Sequence, residues 1–150
     1  MQFIAIDPGL STGVALFADG MLMKTRLVIN TSEALHATAR TIDDILQANE
    51  QIAVIVIEDY RIYPNKALEH THSDVPVARL IGMIEYLASL RQIKLVKQRA
   101  IEAKHVCADE FLREHHLWSN TPHTRDATRH GALYLMKQFI IAKDGRHVAV

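Results

Sequence analysis

Two short stretches of this chain are apolar at every position, and both stop at an acid. Phe3-Ile4-Ala5-Ile6 runs into Asp7-Pro8-Gly9, and Ala53 to Ile57 runs into Glu58-Asp59. Short apolar runs rich in β-branched residues and closed by polar or turn residues predict strands buried on both faces. Thr12 to Phe17 and Met21 to Ile29 flank Ala18-Asp19-Gly20, the pattern of a hairpin closed by a tight Asp-Gly turn. Thr31-Ser32-Glu33 then offers an N-cap to a helix whose apolar positions Leu35, Ala39, Ile42, Ile45 and Leu46 recur at helical spacing. Residues 60–73 have no period and read as a long polar loop. Asp74 and Pro76 open a helix to about Leu90. Ile93 to Val96 predicts a further strand, residues 100–114 a helix and residues 125–142 a last one. This order predicts an α/β fold: a mixed five-stranded sheet, its first three strands antiparallel and the later ones parallel through crossovers, flanked by helices.

Composition narrows the class. The 150 residues, 49% apolar, suit a single domain spanning 1–150. The longest apolar run, Ile52 to Ile57, is far too short for a bilayer, and the chain opens with no secretory pattern, so no membrane partner and a cytoplasmic location are expected. With Cys107 as the single cysteine, an internal disulfide and a Cys-rich zinc site are excluded. The net charge of zero hides an asymmetry. Residues 1–75 carry five Lys/Arg against ten Asp/Glu, and residues 76–150 twelve against seven. An acidic pocket beside a basic surface can engage a polyanion locally.

The acids that end the two central strands carry the chemistry. Sites in open α/β sheets form at the carboxyl ends of strands. Adjacent strands lie ~4.8 Å apart, so terminal carboxylates on neighbours come close and repel unless a proton or cation separates them. A third acid, Asp126, sits near the start of the last helix in Pro122-His123-Thr124-Arg125-Asp126. Oxygen donors without cysteine suit Mg²⁺ or Mn²⁺ better than zinc. Two such ions ~3.5–4 Å apart are the apparatus of in-line attack on a phosphodiester. Each acid also has a plain structural reading, as turn cap, strand-end charge or helix-start charge; their convergence is what argues for chemistry.

Ile4-Ala5-Ile6-Asp7-Pro8-Gly9, with Thr12-Gly13-Val14-Ala15 on the next strand, resembles the opening motif of the RuvC family of Holliday junction resolvases. Val54-Ile55-Val56-Ile57-Glu58 is similar to that family's second acidic strand. His123-Thr124-Arg125-Asp126-Ala127 resembles the His-x-x-Asp form of its closing helix, followed by Arg129-His130-Gly131-Ala132-Leu133. The resemblance implies a ribonuclease H-like fold, a homodimer, Mg²⁺ dependence with two ions per site, and symmetric nicking of four-way DNA junctions. It implies metal-ligand or catalytic roles for Asp7, Glu58, His123 and Asp126. The chain is short for the bacterial members, reminiscent of phage-encoded ones, and the family's basic segment is matched only loosely by Lys97-Gln98-Arg99 and Lys104.

Other residues follow from their setting. Tyr60, Arg61, Tyr63 and Lys66 stand beside an active-site acid and are candidates to stack on or wedge into DNA, with Lys97, Arg99 and Lys104 as basic contacts. Asp59 follows Glu58 and, by strand alternation, points away from it. His70 and His72 read as solvated, Trp118 as an anchor for the loop before the last helix, and Met21 and Met23 as core or edge packing. The helix from Asp74 carries two apolar stripes, Val77, Ile81, Ile84 and Ala88 beside Leu80, Met83, Leu87 and Leu90, which predicts burial on two sides and is compatible with a twofold dimer. An RNA-processing nuclease of the same fold and a non-catalytic DNA-binding module are the alternative functions. The phosphate loop of sugar kinases and Hsp70-like ATPases also uses an Asp-x-Gly hairpin, but those proteins clasp a nucleotide between two such domains.

Overall fold

A computed structural model describes residues 1–60 and 75–143, with side chains to residue 139. Five strands, β1 (Gln2–Asp7), β2 (Ser11–Ala18), β3 (Met21–Ile29), β4 (Ile52–Glu58) and β5 (Lys94–Gln98), form one sheet in the order β3-β2-β1-β4-β5. β1 pairs antiparallel with β2 and parallel with β4; β4 and β5 are parallel too. The expected mixed sheet is therefore present, with its two most apolar strands side by side. Asp19 and Gly20, at φ 51° and 81°, make the two-residue hairpin turn that Asp-Gly favours.

Five helices complete the described chain: α1 (Leu35–Ala48), α2 (Pro76–Leu90), α3 (Ala100–Val106), α4 (Asp109–Glu114) and α5 (Pro122–Lys143). Strand alternation sorts the core into two halves. Ile4, Ile6, Ile55 and Ile57 pack with Leu35, Ile42 and Leu46 of α1 and with Leu80 and Ile84 of α2. Phe3, Ala5, Val54 and Val56 point the other way, onto Ala127 and Tyr134 of α5. Behind α5, Ala103, Cys107 and Leu112 meet Ala132 and Leu133. α1 and α2 thus cover one face of the sheet and α5 the other, with α3 and α4 behind it.

Three expectations need correction. The helix expected over 100–114 is broken into α3 and α4 at Cys107, whose carbonyl accepts Arg129 Nε at 3.1 Å instead of continuing the helix. The helix expected at 125–142 begins at Pro122, because Thr121 caps it: the Thr124 amide donates to Thr121 Oγ1 at 3.3 Å. Thr31 precedes a 3₁₀ turn, Ser32–Ala34, and makes no side-chain cap. Of the core or edge positions expected for Met21 and Met23, the edge is the one they occupy, on β3 and mostly exposed. On α2, Ile81, Ile84 and Ala88 of one stripe and Leu80 of the other are buried, whereas Leu90 is exposed. No helix among the described residues is long and apolar enough to cross a membrane.

Candidate active site

The alternation that buries Ala5 and Val56 under α5 also aims the last residues of their strands at it. Asp7 and Glu58 close β1 and β4, and the register that pairs Ile6 with Ile57 sets the two acids side by side. Behind Asp7 the chain turns sharply, held by Thr12, whose hydroxyl donates to the Gly9 carbonyl at 2.7 Å while accepting the Gly9 amide at 3.2 Å. The following strand approaches α5 so closely that a Cβ at Gly13 would overlap the backbone of His123 and Thr124. A glycine is required there to let the first turn of α5 reach the sheet.

With α5 starting at Pro122, His123, Asp126 and His130 fall three and four residues apart on one helical stripe. His123 Nδ1 lies 2.9 Å from Asp7 Oδ2, joining residues 116 apart in sequence, and its ring is half-exposed. Asp7 itself is largely enclosed. Burial, together with the negative charges of Glu58 and Asp126, pushes its carboxyl up to about 6 despite the His123 hydrogen bond that pulls the other way. Glu58 is shifted in the opposite direction, below its ordinary value, chiefly because His130 hydrogen-bonds to it, and further by the electrostatic pull of His130 and then of Lys104, against the effect of burial.

Asp126 is arranged differently. Its carboxylate is ion-paired with Arg129 and lies 3.1 Å from Lys104 Nζ. Arg129 in turn pairs with Asp109, tying α5 to α4. Asp7, Glu58 and His123 therefore meet directly, while Asp126 stands beside them neutralised by two cations. Among the described residues no group of three or more His, Cys, Asp or Glu side chains is gathered closely enough to hold a metal ion. The donor chemistry still fits a hard divalent cation at Asp7 and Glu58: two oxygen ligands converge, and the Asp7 charge lacks the compensation that Asp126 has.

The remaining candidates are dispersed. Lys97 is ion-paired with Glu85 of α2, and Arg99 is exposed just ahead of α3. Lys104, expected as a DNA contact, lies 3.1 Å from Asp126 and its side chain stays exposed. Tyr60 packs partly against the α1–α2 side of the core. Arg61, Tyr63 and Lys66, with His70 and His72, lie outside the described residues. The amide of Asp59 donates to the Gln98 carbonyl at 2.7 Å. Trp118 does anchor the segment before α5: the guanidinium groups of Arg113 and Arg125 lie 4.1 and 4.4 Å from its ring centroid.

Sequence reasoning passed over three residues that support the acids, namely Arg129, His130 and Gln98. Their signals were available. His130 lies four residues after Asp126 on the stripe already marked by His123, and Gln98 ends β5 as Glu58 ends β4.

No family model matches the chain, and no curated protein matches it. Solved structures do. RuvC of Thermus thermophilus in complex with a Holliday junction substrate superposes with a TM-score of 0.75 at 15% identity, covering 93% of this chain and 96% of that one. A second Thermus thermophilus RuvC structure gives 0.72 at 15% identity, covering 97% of both chains. The fowlpox virus Holliday junction resolvase gives 0.60 at 13% identity, covering 91% of this chain and 99% of that one. The likeness shows the fold, the ribonuclease H-like fold of these RuvC structures.

Proposed function

We propose that the chain is a divalent-metal-dependent DNA endonuclease that resolves four-way junctions by paired, symmetric nicks. The observation that carries this reading is the meeting of Asp7, Glu58 and the first turns of α5 at one sheet end, in a fold shared along nearly its whole length with junction resolvases.

Asp7 and Glu58 would hold Mg²⁺, with Mn²⁺ as a substitute. Asp126 would complete a two-ion site on exchanging Lys104 and Arg129 for the cation. Bound there, divalent ions supply Lewis acidity toward the phosphate and a more acidic water. Every other part of the task falls to the chain. Asp7 and Glu58 would hold the cations at a fixed place at the sheet end, since both are anchored on strands whose register is set by paired neighbours. His123, half-exposed and hydrogen-bonded to Asp7 through one ring nitrogen, is suited to ligate a metal or to carry a proton to or from the reacting oxygens. Lys104 stands where a departing Asp126 would free it to meet a phosphate oxygen. Tyr60, Arg61, Tyr63, Lys66, Lys97 and Arg99 are the proposed outer contacts. A homodimer would present two such sites about a twofold axis, the arrangement that a four-armed substrate can use.

The test is to incubate the protein with Mg²⁺ and end-labelled four-way junction, fork, hairpin, linear duplex and structured RNA. Paired nicks in opposing arms of the junction, exceeding cleavage of linear duplex at least tenfold, are expected. Preferential RNA cleavage, or binding without any cutting in Mg²⁺ or Mn²⁺, would overturn the reading.

A further inference from the structure

His130 occupies a position where the pattern of α5 calls for an apolar side chain. It is 1% exposed, between Ala127 and Tyr134, which both pack on the sheet. A buried imidazole is costly unless its nitrogens are hydrogen-bonded, and both nitrogens here have partners. Nε2 lies 3.4 Å from Glu58 Oε2, and Nδ1 lies 3.0 Å from Gln98 Oε1. Those partners are no accident of packing. Glu58 and Gln98 are register partners at the ends of β4 and β5, so alternation sends both toward α5, where His130 spans them.

One hydrogen follows from the partners: a carboxylate only accepts, so Nε2–H donates to Glu58. The other ring nitrogen is held by the Gln98 side-chain amide. Gln98, His130 and Glu58 thus form one relay of hydrogen bonds across the ends of β4 and β5.

We propose that His130 is a positioning residue: through this relay it fixes one oxygen of Glu58 and so aims the other at the metal. The inference rests on the reading of Glu58 as a ligand. Metal-bound carboxylates depend on such outer partners, whose loss typically weakens metal affinity or activity ~10–100-fold. Without His130, Glu58 is free to swing toward the charge of Lys104.

The experiment measures Mn²⁺ binding by calorimetry, without DNA, beside single-turnover junction cleavage, in the wild type, His130→Phe, His130→Gln and Gln98→Met. His130→Phe fills the space without a donor and is expected to bind Mn²⁺ ~10–100-fold more weakly. His130→Gln retains an N–H within reach of Glu58 and should recover most of that loss at an unchanged melting temperature. Gln98→Met leaves the ring unanchored and should weaken binding several-fold. Wild-type affinity in a folded His130→Phe overturns the proposal, as does a folded His130→Gln as weak as the Phe variant. Should His130→Phe fail to fold, wild-type affinity in Gln98→Met overturns it instead. Because the binding arm uses no DNA, a wild type that binds Mn²⁺ but cuts nothing refutes the nuclease reading and still tests His130.

Discussion

Gly13 and His123 are in backbone contact: the space a Gly13 side chain would fill is taken by the His123 carbonyl and the peptide bond after it. Gly13→Ala therefore cannot be absorbed by turning a side chain. Overpacking of this kind costs about 1–3 kcal/mol, and it pushes the first turn of α5 off the sheet. The expected result is a melting temperature lower by several degrees, together with a cleavage rate reduced ~10²-fold, since small displacements of a reacting group are that damaging. Calorimetry and single-turnover kinetics check both. A variant with wild-type kinetics would show that the placement of His123 does not matter to the reaction.

Asp7→Asn, Glu58→Gln and Asp126→Asn each remove a charge while nearly preserving shape. Each is expected to abolish cleavage and to leave junction binding intact or tighter, because repulsion of phosphate falls. Gel-shift and nicking assays on the same junction separate the two effects. Near-wild-type nicking by any of the three removes that acid from the proposed site.

The Asp7 carboxyl, raised to about 6 from its ordinary 3.8, gives a stability prediction with a definite sign. The folded, metal-free protein holds this proton more tightly than the unfolded chain does, so the contribution of Asp7 to stability falls as pH rises from about 4 to about 6 and stays low above that. At pH 7 the shift corresponds to on the order of 2–3 kcal/mol. In EDTA, Asp7→Asn should be the more stable protein at pH 7, and its advantage should shrink as pH drops toward 4. Urea melts of both proteins across this range measure the difference directly. Saturating Mg²⁺ should reverse it, because only the wild type gains the cation.

Cys107 is fully buried, and burial pushes its thiol up to about 11. In the folded protein a disulfide reagent at pH 8 should modify it orders of magnitude more slowly than in the denatured chain. The labelling rate should rise with urea in step with loss of secondary structure. Rapid labelling of the native protein would mean that α3 and α4 detach from α5 without global unfolding.

The sheet could be read from the sequence because its residues report on it locally. Phe3 to Ile6 and Ala53 to Ile57 have no polar position on either face, which forces them into the centre. Their closing acids then had to lie side by side. Period-2 alternation even fixes the face on which Asp7 and Glu58 meet α5. What escaped is set by contacts between distant segments. The break at Cys107 follows from Arg129, 22 residues later, taking its carbonyl. The start of α5 at Pro122 depends on a Thr121 side-chain bond that periodicity cannot register. The pairing of Lys104 with Asp126 likewise joins two different helices.

A single helix lies over Phe3, Ala5, Val54 and Val56, and the same helix brings His123, Asp126 and His130. During synthesis, strands β1 to β5 leave the ribosome well before α5 does. Until α5 docks, one whole face of the sheet is bare hydrocarbon and the sheet end holds only two acids. Covering that face and assembling the proposed site are one event. On the nuclease reading, a nascent or half-folded copy carries no complete hydrolytic centre.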